Sequence, residues 1–153
     1  MKTITLKKSL ITTSILAASV YAGIATAHTA GGVIDAAGNN ASATDFATVS
    51  CFDDGDGAPA YLFIQIEDQS APVPGLLMTM LAAKGNQMVS TSDPVSRDSK
   101  AGPGVQLRGG DGTYYVAVSK TAAGARTFTV TYHCMTSNNV HTGTEDITAL
   151  QLQ

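Results

Sequence analysis

The 153-residue chain has no tryptophan, only two cysteines, and few charges, with Asp, Glu, Lys and Arg making up 14%. Past residue 27 no apolar run approaches the roughly 20 residues that a membrane-spanning helix needs. Nor do apolar residues recur there at the three-to-four spacing of an amphipathic helix, which excludes helical bundles and coiled coils. Positive charge is scarce too. The formal net charge is −3, and it falls to −6 without the three N-terminal lysines Lys2, Lys7 and Lys8. That balance argues against nucleic acid or an anionic membrane as partner. Catalytic signatures are missing as well. There is no Gly-x-Ser-x-Gly elbow, no Walker-type loop, and no Ser/His/Asp set selected by context. Gly109-Gly110-Asp111-Gly112 precedes a strand-like run rather than a helix, so it reads as turn chemistry.

What is present begins with a leader. Lys2, Lys7 and Lys8 form a positive start, Ile11 to Ile24 is largely apolar, and Ala25-Thr26-Ala27 offers the small-x-small pattern of a peptidase site. The sequence therefore predicts a signal peptide over 1–27, cleavage after Ala27, and a single mature domain over 28–153 that begins at His28. A periplasmic or secreted location follows, with no transmembrane span after cleavage. An oxidising compartment makes a disulfide between Cys51 and Cys134 the default for the two cysteines. Neither belongs to a Cys-x-x-Cys pair, so a thiolate metal site is disfavoured. Cys51 shares parity with Val49, and Cys134 with Phe128, Val130 and Tyr132, so both point inward. The bond should join two strands through the core and contribute about 4 kcal/mol by the chain-entropy argument.

Alternation with period two dominates the rest. Strands are predicted over Phe46–Cys51, Tyr61–Glu67, Leu76–Ala83, Gln87–Thr91 and Val105–Leu107, with Val33 and Ile34 in an arm or a first edge strand. In Tyr61–Glu67, Leu62, Ile64 and Ile66 point inward, and Tyr61, Gln65 and Glu67 outward. Leu76–Ala83, apolar on both faces, should be a central strand or a short buried helix, with strand preferred because the run is short and sits among other strands. Two β-rich runs, Gly109–Ser119 and Arg126–Cys134, flank the Gly-bearing connection Lys120–Ala125, which is a hairpin signal. A closing strand of poor phase is expected over Thr144–Gln153. Seven to nine short strands with turn residues between them fit an all-β fold, an antiparallel β-sandwich of jelly-roll or Greek-key type.

The order Leu-Ala-Ala-Lys-Gly-Asn-Gln-Met-Val-Ser-Thr-Ser-Asp, a loop, Val-Gln-Leu-x-Gly-Gly-Asp-Gly-Thr-Tyr-Tyr-Val-Ala-Val and Arg-Thr-Phe-Thr-Val-Thr-Tyr resembles bacterial pre-peptidase C-terminal domains, from about Tyr61 to Tyr132. That resemblance implies a jelly-roll module with a non-catalytic accessory role, sometimes with calcium or a polymer as ligand. Two departures are that no peptidase is attached and that a disulfide is present.

Two residue sets could hold a metal. The three histidines are His28, His133 and His141. Once the leader is removed, His28 offers an α-amine and an imidazole nitrogen to one ion, and a second histidine would complete three nitrogens, a set suited to copper. This is similar to the histidine brace of copper-dependent polysaccharide monooxygenases and small periplasmic copper carriers, of which only the terminal histidine carries over. An oxidative enzyme of that type would also need an axial aromatic residue, for which Tyr115 and Tyr132 are available. Asp53, Asp54 and Asp56 could take calcium, but EF-hand spacing is absent and an Asp/Gly turn explains them first. The expected role is an exported module that binds or assembles rather than catalyses, its partner an envelope component, a polysaccharide or a second copy. A small copper-binding protein is the alternative, and an oxidative enzyme the third.

Overall fold

A computed structural model describes residues 28–153. The expected leader and its cleavage after Ala27 fall outside the described residues. Strands β1 (His28–Ile34), β3 (Tyr61–Asp68), β6 (Val105–Leu107) and β8 (Arg126–Met135) form one antiparallel sheet in the order β1-β8-β3-β6. Strands β2 (Thr44–Phe52), β4 (Met78–Lys84), β5 (Gln87–Asp93), β7 (Gly112–Lys120) and β10 (Thr148–Gln151) form the other in the order β10-β2-β7-β4-β5, and β9 (Gly143–Thr144) also pairs with β2. No helix occurs among the described residues. The two sheets stack as a sandwich, their inward residues forming one core.

The inward residues are those that alternation selects. Leu62, Ile64 and Ile66 of β3, Tyr114, Val116 and Val118 of β7, and Phe128, Val130 and Tyr132 of β8 are all buried. Met78, Met80 and Ala82 fill the interior from β4, which lies between β7 and β5 as its apolar faces require. Tyr61, read as outward, is nonetheless buried: Arg108 lies over its ring and its hydroxyl donates to Asn139 at 2.7 Å. Cys51 and Cys134 form a disulfide between β2 and β8, one from each sheet, with Cα atoms 5.5 Å apart.

One expectation is overturned. The runs that become β7 and β8 are not a hairpin: β7 pairs with β2 and β4, whereas β8 pairs with β1 and β3. Residues 121–125 carry the chain from one sheet to the other. Each run has a continuous apolar face, and the two faces meet across the core instead of lying side by side in one sheet. Alternation looks the same in either arrangement. Charge at the junction favours the crossing. Lys120, the last residue of β7, is buried and donates to Asp35 Oδ2 at 2.7 Å, to the Asn40 carbonyl at 2.7 Å and to the Ala122 carbonyl at 3.0 Å. Arg126, the first of β8, is buried against Asp68, donating from Nε at 3.0 Å, and also reaches the carbonyl of Ala71 and the hydroxyl of Ser96. The β4–β5 turn at Gly85-Asn86 is a true hairpin, with Gly85 at φ 58°.

The closing strand is broken in two. β9 and β10 both pair with β2, and the register shifts between Ala149 and Gln151, which accounts for the poor phase of that stretch.

Candidate functional site

The ion pairs at Lys120 and Arg126 close one pole of the sandwich. The opposite pole holds the disulfide and, beside it, the chain's three histidines. Three elements bring them there. β1 pairs with β8 so that His28 lies opposite Tyr132. In this antiparallel register the chain enters β1 from the side of His133, the next residue along β8. His133 pairs with Phe63 of β3 and stacks on its ring, with centroids 5.9 Å apart and planes 13° from parallel. After β8 the chain turns back through 136–140, where the Thr136 amide donates to the Val140 carbonyl at 2.8 Å and Asn139 takes φ 61°. That reversal pairs His141 with Met135, leaving the rings of His133 and His141 4.5 Å apart.

The anchoring around these residues is dense. The Thr142 amide donates to the Cys134 carbonyl at 3.0 Å, and its hydroxyl donates to the carbonyls of Gly57 and Phe52. The Cys134 amide donates in turn to Thr144 Oγ1 at 2.9 Å. The Cys134 flank of His133 is therefore fixed by hydrogen bonds to the Cys134 backbone and by the disulfide.

By parity His133 falls on the outward face of β8, but Phe63 and His141 cover it and leave it half-buried. Burial, then the neighbouring charges of His141 and His28, lowers its pKa to about 4. The Nδ1 atoms of His28 and His133 are buried with no hydrogen-bond partner among the described residues. A buried polar atom without a partner costs roughly 1–3 kcal/mol, so native folds carry few of them. His28 leans toward the core face, its ring 5.8 Å from that of Tyr132. Among the described residues no three His, Cys, Asp or Glu side chains stand in an arrangement that would hold a metal ion. The side chains supply a close imidazole pair, with His28 at its flank.

The other candidate residues lie as follows. Tyr132 is buried, and its hydroxyl accepts the Ile147 amide at 3.0 Å. Tyr115 belongs to the other sheet, where it stacks on Phe46. Asp53 Oδ1 accepts the amides of Gly55 and Gly57, and Asp54 Oδ1 accepts the amide of Asp56, which is the work of turn residues. Asp56 is exposed in the same loop. Phe63 was not singled out by sequence reasoning. Its outward parity in β3 was the available signal, though nothing local shows that β8 would place His133 beside it.

No protein family, characterised protein or solved structure matches this chain.

Proposed function

We propose that this chain is an exported β-sandwich that binds one copper(II) ion at its histidine pole, a binding module rather than an enzyme. One observation carries this reading: His28, about a hundred residues away in sequence, meets His133 and His141 at one pole, and two of their ring nitrogens are buried without partners among the described residues. His133 and His141 supply two imidazoles. The third and fourth nitrogens come from His28 once the leader is removed. Its α-amine and Nδ1 would then close a six-membered chelate ring on one ion, the imidazole turning away from Tyr132 to do so; the β1–β8 register, which sets the start of β1 near His133, supports this. Nitrogen donors of this kind favour copper over calcium or magnesium. The disulfide is compatible with the oxidising compartment that such export implies. The resemblance of residues 61–132 to pre-peptidase C-terminal modules supports a non-catalytic role.

Calorimetric titration of the chain beginning at His28 tests the proposal. One ion should bind per chain, and either His133→Ala or a single residue added before His28 should weaken binding by at least about tenfold, since each removes a coordinating nitrogen. Equal affinity of wild type and His28→Ala would end it.

A further inference from the structure

Several inward positions at strand ends carry charge instead of an apolar residue. Lys120, Arg126 and Asp68 continue the buried faces of β7, β8 and β3, and Asp45 continues that of β2. Each buried cation has its carboxylate: Lys120 with Asp35, Arg126 with Asp68. Asp45 has none. It is only 8% exposed, and among the described residues the sole hydrogen bond to its carboxylate comes from the Gln153 amide to Oδ1 at 2.8 Å. An ionised carboxylate buried without a cation is costly. Burial accordingly pushes the Asp45 carboxyl above its ordinary range, and the Gln153 amide opposes that only in part.

Asp45 also lines a cleft of about 240 Å³ between the two sheets, at the seam where edge strands β1 and β10 face each other. Its other walls are apolar, among them Ala30, Gly32, Val118, Phe128 and Ile147. A Cβ at Gly32 would stand 3.2 Å from the Phe128 ring, so a larger residue there would press on it. The cleft is larger than the engineered apolar cavity of about 150 Å³ that takes up benzene. Exposed Val33 and Leu152 flank its mouth.

We propose that this cleft binds an apolar primary ammonium ion, with its hydrocarbon between the sheets and its charge on Asp45. The apolar walls select a ring or short alkyl chain, and the unpaired carboxylate selects a cation over an anion or an alcohol. The site is separate from the histidine pole, and its test is independent of copper.

Hexylammonium, hexanol and hexanoate are titrated into the protein and followed by calorimetry and amide NMR shifts. Hexylammonium should bind saturably with shifts centred on β1, β2 and β10, hexanol about tenfold more weakly, and hexanoate more weakly still. Asp45→Asn should bring hexylammonium down to the level of hexanol. Ala149→Trp, at an exposed position on the cleft wall, should abolish binding while leaving the fold intact, and it carries the test should Asp45→Asn fail to fold. Absence of saturable binding, hexanoate or hexanol binding as tightly as the amine, or unchanged affinity in Asp45→Asn would each overturn the proposal.

Discussion

His133 is held between two rings, with Phe63 on one side and His141 on the other, and its neutral form is favoured by burial and by like charge. In metal-free protein its imidazole should titrate near pH 4, as read from its ring proton by NMR. Removing one charge in His141→Ala should move the midpoint upward, though not to the ordinary value near 6.5, because burial is the larger cause. Between about pH 6.5 and 4 the unfolded chain takes up the proton and the folded one does not, so stability falls as pH drops through that window. Asp35 adds a loss at lower pH. Its carboxyl is held well below the usual range, first by Lys120, so its contribution is whole above about 3.8 and declines as acid protonates it. A midpoint for His133 above 6 would contradict the packing described. Asp68→Ala tests the opposite pole. It leaves the Arg126 guanidinium buried without its carboxylate, and it should cost about 3–5 kcal/mol by denaturant unfolding. A cost below 1 kcal/mol would mean that the pair is solvated.

Among the elements, the connection at 94–104 is packed more tightly than its Pro- and Gly-rich sequence suggests. The Gly102 amide donates to the Ile66 carbonyl at 2.8 Å, its own carbonyl accepts from Gln65, and a Cβ there would lie 2.3 Å from the Ser92 carbonyl oxygen. Backbone cannot yield as a side chain can, so Gly102→Ala should destabilise by about 1–3 kcal/mol in thermal or denaturant unfolding. A neutral result would show that the loop stands off β5. Most strands were legible, because they have one buried face and alternation marks it; β10, exposed along its length, has none. Inward charge was legible too, and went unread. Lys120 falls in phase with Tyr114, Val116 and Val118, and Arg126 with Phe128 and Val130, which by parity alone marks both as buried and in need of partners. Whether β7 and β8 pair or face each other could not be read, since a strand's pattern records which face is buried and not what covers it. The convergence of the histidines was equally hidden. It depends on β1 pairing with β8 across about a hundred residues, a register that no local pattern encodes.

For the whole molecule, the two poles are closed by different means. Buried ion pairs close one and a disulfide the other, with the core between them. A bond spanning 83 residues should stabilise by about 4 kcal/mol, so Cys51→Ala/Cys134→Ala should lose that much in denaturant unfolding. The double variant should also loosen His133, which adjoins Cys134, whereas the ammonium cleft at the seam should be untouched. Loss of less than 1 kcal/mol would show that the sheets are held without the bond.

The most direct test of the account is electron paramagnetic resonance of the copper(II)-loaded protein whose chain begins at His28. The account predicts one axial species with hyperfine splitting from several nitrogens, altered when His133 and His141 are both replaced by alanine and when the amine of His28 is blocked. A spectrum unchanged by these substitutions, or one with the signature of hydrated copper in the wild type, would contradict it.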